Sequence, residues 1–325
     1  MISETPRQQP IVEQHSRVRR TVDVLRVFLA DHRMKVALLA AFAAVYILWG
    51  STYLAIAVVV ETIPPFIGAA VRFILAGLLL MLWSRRKGAA WPARLHWRNA
   101  VIVGGLLLAG GNGVLVWAEQ VVPSGVAALL VATVPLWLVA ITAVSSRQRP
   151  SWPVMFGLIL GLVGVGILVD PRGLVAGDSA MFVGTVAILL GSFSWALGTF
   201  VSRRLAQASS QVMTTGMNMV AGGLLLILVA TATGELPQLD AAAISLRSWL
   251  AFAFLLVFGS IIGFSAYMWL VKVTTPARAA SNFYVNPVVA VLAGWLIAGE
   301  ALTGRMIVAM IIIVVAVAFI VTQKR

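Results

Sequence analysis

The chain has 325 residues, 61% of them hydrophobic and 11% charged, with a mean hydropathy of +0.98 and a formal net charge of +13. That balance excludes an ordinary water-soluble domain. The lack of cysteine, and the placement of His15, His32 and His96 outside every apolar stretch, exclude disulfides, thiolate chemistry and a buried histidine metal site or proton relay.

Residues 1–36 form a basic tail. It does not read as a cleaved signal peptide, because both the charged region and the following apolar run are too long. Val18, Val22, Leu25 and Leu29 share one helical face, which suits a short interfacial helix on anionic lipid. A solvated tail that helps to fix topology fits the same residues.

Ten apolar spans follow, at about 37–59, 66–83, 99–118, 124–144, 154–169, 179–200, 212–233, 249–271, 279–297 and 305–322. Each is on the order of 17–25 residues, enough to cross a ~30 Å hydrocarbon core as a helix. Barrel strands would alternate apolar with polar residues, and runs such as Met306–Val321 do not. The predicted fold class is therefore an all-α integral membrane protein.

Its basic residues fall mainly on one side. The tail holds seven, and Arg85, Arg86, Lys87, Arg94 and Arg98 fill the second connection. Arg147, Arg149, Arg203, Arg204, Lys272 and Arg278 continue the pattern in the later even connections, while the odd ones hold Arg172, Arg247 and Arg305. Lys and Arg in short loops stay cytoplasmic, so both termini are expected inside. The positive charge is a topology signal; no nucleic-acid partner is expected.

The second half repeats the first. "SGVAALLVATVPLW" (124–137) aligns without a gap on "PARAASNFYVNPVV" (276–289), matching Pro135 to Pro287. The same shift matches Trp117 to Trp269 and Gly111 to Gly263. "LWGSTY" resembles "SWALGT", which pairs Trp49 with Trp195. Two five-helix units, 37–169 and 179–322, are predicted. An odd number of spans per unit inverts the second copy, an architecture that places substrate near the midplane between halves.

Candidate site residues follow from that frame. Proline inside a helix removes a donor and pushes away the carbonyl four residues earlier, so Pro135 and Pro287 are expected to kink spans four and nine. In lipid such a freed carbonyl needs protein, water or ligand. Asn282 and Asn286 share a face of span nine, flanked by Ser281 and Tyr284. That face suits a wet cavity or a packed helix seam. Trp49, Ser51, Thr52 and Tyr53 in span one, with Trp195 in span six, are cavity candidates. Arg72 is a charge within span two, fit for a substrate carboxylate or for an internal pair with Glu61 or Glu119. Asn112 lies between glycines in span three. Glu119 and Glu300 end outer segments and are candidates for gating or coupling. No acid sits near the centre, which leaves coupling to protons or to a counter-substrate open.

The motifs "LWGSTYLAI", "PPFIGAAVRFILAGLLL", "VPSGVAALLVATVPLW" and "YVNPVVAVLAGWLIAGE" together resemble the EamA family of the drug/metabolite transporter superfamily, most closely its YedA-like members. The resemblance runs from about Leu38 to Thr322 and implies ten helices in two inverted five-helix repeats in the bacterial inner membrane. Its motif positions here are Trp49, Ser51, Thr52, Arg72, Pro135, Tyr284, Asn286, Pro287 and Glu300. It implies an alternating-access carrier, outward in direction, for small metabolites such as amino acids or amphipathic drugs. A lipid-flipping variant of that fold, a pore and an intramembrane enzyme are the competing classes. The enzyme fares worst, because the spans lack His, Cys and paired acids. No cofactor or metal is expected; the expected partners are a small-molecule substrate and the bilayer.

Overall fold

The computed structural model describes residues 34–147, 151–168, 179–274 and 282–322, and every regular element among them is a helix. Seven helices are long and apolar enough to cross a membrane: α1 (Met34–Val59), α2 (Pro65–Arg86), α3 (Arg94–Ala118), α4 (Ser124–Ser146), α6 (Ser179–Ser202), α7 (Gln211–Ala232) and α8 (Leu246–Val273). Three further apolar helices are α5 (Trp152–Leu168), α9 (Asn282–Ala298) and α10 (Gly304–Thr322). The basic tail with its candidate interfacial helix, the loop charges Asp170, Arg172, Asp178 and Arg278, and Ser281 lie outside the described residues.

The packing is that of a protein in an apolar solvent. Leu79, Leu190, Leu228 and Ile297 are exposed, whereas Arg72, Asn218, Glu235 and Asn282 are buried. In water that arrangement would be costly at both surfaces. The helices also run past their apolar cores. α3 begins at Arg94, five residues before the expected limit, because a polar first turn closes with Ala93 N–H donating to His96 Nδ1 at 3.2 Å.

α2 and α7 cross in contact. A Cβ on Gly77 would lie 2.6 Å from the Gly216 carbonyl, and one on Gly216 would lie 2.7 Å from the Gly77 carbonyl. Only hydrogen fits at either place, as at close crossings of membrane helices generally.

The two prolines behave differently. Pro135 is the second residue of a helical segment, so α4 is two pieces, Ser124–Val131 and Val134–Ser146. The intervening Thr133 donates both its N–H, at 3.1 Å, and its hydroxyl, at 2.7 Å, to the Leu130 carbonyl. The predicted disturbance falls where two helical segments meet within α4. Pro287 lies inside the continuous helix α9. α3 and α8 each contain a π-helical stretch, Gly105–Gly113 and Leu255–Phe264. Such wide turns leave carbonyls underused and often mark functional sites.

Candidate functional site

A cavity with about 750 Å³ of non-atom space, open solvent included, is lined from α1, α2, α3, α4, α6, α8 and α9. Its helices come from both halves of the chain.

One wall is aromatic. The Trp49 and Tyr267 ring centroids are 4.9 Å apart, and Trp49 meets Trp195 edge-on at 5.8 Å. Phe264 closes the cluster against both tryptophans. The rings are held by their polar tips: Trp49 Nε1 donates to the Gly259 carbonyl at 3.1 Å, and Trp195 Nε1 to Tyr267 Oη at 3.4 Å. Gly259 belongs to the π-helical stretch of α8, so the wide turn supplies the acceptor.

The opposite chemistry comes from α2, α3 and α9. Arg72 is 4% exposed; it donates through Nη2 to Asn112 Oδ1 at 2.6 Å, and its guanidinium lies over the Phe73 ring at 4.4 Å. Its Nε has no partner among the described residues. Asn282 is 1% exposed, lines the cavity, and has no partner for either side-chain atom among the described residues. Asn286, with its amide nitrogen turned toward them, donates to the Asn282 and Tyr46 carbonyls, each at 3.2 Å. Of the two amides on one face, Asn286 ties α9 to α1 and Asn282 is free to meet a solute.

Other expected residues distribute as follows. Thr52 and Tyr53 line the cavity with Trp49. Ser51 does not; its hydroxyl turns back to the Ile47 and Leu48 carbonyls, at 2.8 and 3.0 Å. The Tyr284 side chain lies outside the described residues. Arg72 makes no ion pair with Glu61, which instead meets Arg247 at 3.4 Å. Sequence reasoning missed Phe264, Tyr267, Ser192 and Ser260. The hydroxyls of Ser192 and Ser260, polar atoms inside apolar spans, were the available signal.

The carboxylates sit outside the cavity wall. Glu300 accepts from Ser124 N–H at 3.1 Å, Ser124 Oγ at 2.6 Å and Gly125 N–H at 3.2 Å, at the start of α4. Glu235, also missed, does the same for α2, accepting from Phe66 N–H at 3.2 Å and Ile67 N–H at 2.9 Å. A carboxylate at a helix N-terminus meets unpaired donors and the positive end of the dipole. Glycines with φ of 72° and 69°, Gly234 and Gly299, turn the chain just before each acid. Glu119, the first residue past α3, is buried with no donor to either oxygen. Burial pushes its carboxyl well above the usual carboxylate range; Glu300 adds to the rise and Arg72 opposes it.

A polytopic helical membrane protein with a cavity lined from both halves of the chain is the class that these features define. The EamA-like transporter family model matches residues 34–169 and again 182–322. The Escherichia coli protein named as inner membrane transporter YedA is 39% identical over 90% of this chain and 93% of its own length. The Bacillus subtilis transporter YoaV is 24% identical over 86% and 94%, and protein PecM of Dickeya dadantii 24% over 82% and 86%. A crystal structure of a chain 22% identical superposes with a TM-score of 0.64, covering 88% of this chain and 96% of that one. The chain belongs to the EamA-like transporter family, and it is a membrane transport protein.

Proposed function

We propose that the chain is an alternating-access carrier of small metabolites bearing an anionic or zwitterionic group and an apolar or aromatic body. Ten membrane-crossing helices in two inverted five-helix repeats, 37–169 and 179–322, with both termini cytoplasmic in a bacterial inner membrane and outward transport, complete the reading. The observation that carries it is the cavity itself: Arg72 and the unpaired Asn282 amide line the same space as Trp49 and Trp195.

Paired contacts support the repeat. A Cβ on Gly263 would lie 2.5 Å from Trp49 Nε1, and one on Gly111 would lie 3.0 Å from Trp195 Cε3. The sequence alignment matches Gly111 with Gly263 and Trp49 with Trp195. The π-helical stretches of α3 and α8 occupy corresponding places as well. An inverted repeat would produce this pairing of α3 with α8; α1 carries a shorter π-helical stretch, Ala44–Leu48, of its own. Rocking of the halves would then expose the cavity to alternate sides, with the Glu235 and Glu300 attachments as gating contacts.

Two experiments test the reading. In purified protein, amino acids, nucleosides, sugars and cationic drugs are screened for a rise in melting temperature, the linkage signature of a ligand that binds the folded state. In proteoliposomes, flux of the strongest ligand should saturate and be stimulated by counter-substrate. Flux that rises without saturation points to a pore instead.

The two amides should separate in behaviour. Asn282→Leu removes a buried amide with no partner, so the fold should lose nothing and gain up to ~1–3 kcal/mol, while transport falls about tenfold, the worth of one hydrogen bond to substrate at ~1.4 kcal/mol. Asn286→Leu removes one bond from α9 to α1 and one within α9, and should lower stability by about 1–2 kcal/mol. Thermal unfolding beside initial-rate uptake reads both. Equal loss of stability in the two variants would contradict the assignment.

A further inference from the structure

Glu119 is 6% exposed, and neither of its oxygens meets a donor among the described residues. Asn112, the acceptor of the Arg72 bond, lies about two turns before Glu119 along α3; the charged and titratable groups that interact with Glu119 are Arg72 on α2, Glu300 before α10 and Tyr53 on α1. α6 packs on the same end of α3 and carries no titratable residue within Ser179–Ser202. Glu300 already accepts three donors. Arg72 has Asn112 as its hydrogen-bond acceptor and forms no ion pair with Glu119, though each acts on the other's charge.

We propose that Glu119 is a proton-binding group that decides whether Arg72 is available to an anion in the cavity, an inference that rests on the cavity being the substrate site. A bare carboxylate without donors is costly to bury, and a neutral carboxylic acid much less so. With its proton, Glu119 leaves Arg72 an uncompensated cation one helix away, lining the cavity. Without it, Glu119 is the counter-ion of Arg72 and competes with any anion there. The step is one proton from bulk water onto one carboxylate oxygen; no other bond forms or breaks.

Because the coupling is reciprocal, proton binding favours anion binding and anion binding favours the proton. Solutes with a carboxylate or similar anionic head therefore move with a proton in the same direction. Net flow is outward when the solute's own gradient exceeds the opposing proton gradient. A cation gains nothing from the device.

The test uses the purified full chain, Glu119→Gln, and Glu119→Leu as a second variant that removes the group without leaving a polar atom. The first measurement needs no ligand. Folded Glu119 holds its proton more tightly than the unfolded chain does, so its contribution to stability is complete below the ordinary carboxyl value and is lost as pH rises toward the raised folded value. Wild-type melting temperature should fall across that window, and both variants should lack this fall. The second measurement uses benzoate, which carries a carboxylate and a ring. Its affinity for wild type should drop by about tenfold per pH unit above the folded Glu119 value, while Glu119→Gln keeps the acidic-pH affinity throughout. If both variants retain the wild-type pH dependence of melting, Glu119 is not the proton-binding group and the proposal fails. If the variants flatten the melting profile but benzoate shifts no protein at any pH, the anion site and its coupling are overturned while proton binding stands.

Discussion

Glu300→Leu should lower the stability of the folded chain by about 3–5 kcal/mol, the cost of leaving the buried N–H groups of Ser124 and Gly125 and the Ser124 hydroxyl without an acceptor. The carboxylate holds two backbone N–H groups and a hydroxyl at the first turn of α4. Helix starts carry unpaired donors, and burial of Ser124 and Gly125 limits their replacement partners. Its position is set from behind: Gly299, at φ 69°, returns the chain so that Glu300 N–H reaches the Gly294 carbonyl at 3.0 Å. A Cβ on Gly294 would lie 2.5 Å from Glu300 Oε2, so the carboxylate rests on that glycine. Glu300→Gln keeps one acceptor oxygen and should show roughly half the loss, on the order of 1.5–3 kcal/mol. Thermal melting of the two variants beside wild type measures the effect. A leucine variant as stable as wild type would remove Glu300 from the attachment of α4.

Apolar length was sufficient to find the helices, because a span needs only enough hydrophobic residues to cross lipid. Their ends were less legible: α3 starts in a polar turn at Arg94, where hydropathy has already failed. Pro135 was recognised as a disturbance, but a proline can bend a helix or begin a new one. Thr133, by bonding the Leu130 carbonyl, helps to decide for a break. Residues of the site were visible when polarity contradicted position, as with Arg72, Asn112 and Asn282. Ring clusters were half visible: Trp49 and Trp195 stood out, whereas Tyr267 and Phe264 looked like ordinary apolar filling of α8. The attachment made by Glu235 was not legible from hydropathy. The repeated Gly-Glu pair, Gly234-Glu235 and Gly299-Glu300, was the missed sign, and its meaning depends on which helix start each turn faces.

Arg72→Met should leave the folded chain at least as stable as wild type while reducing binding of carboxylate-bearing solutes about a hundredfold, a loss of ~2.7 kcal/mol. The two halves of this expectation have one cause. Arg72 is buried, one of its nitrogens reaches Asn112, and its Nε has no partner. Burying a guanidinium costs several kcal/mol, and a single amide oxygen with one ring face recovers only part of that. Methionine fills a similar volume without the desolvation cost, so melting temperature should hold or rise. The cavity, however, loses the cation that makes an anion welcome among Trp49, Trp195 and Phe264. Binding of neutral aromatic solutes should change less than about threefold, since the aromatic wall is held by Gly259 and Tyr267 and not by Arg72. Titration of benzoate and of benzyl alcohol into both proteins separates the outcomes. A large drop in melting temperature with equal loss for both solutes would make Arg72 a structural residue. Preserved benzoate affinity in a stable variant would place the anion elsewhere in the cavity.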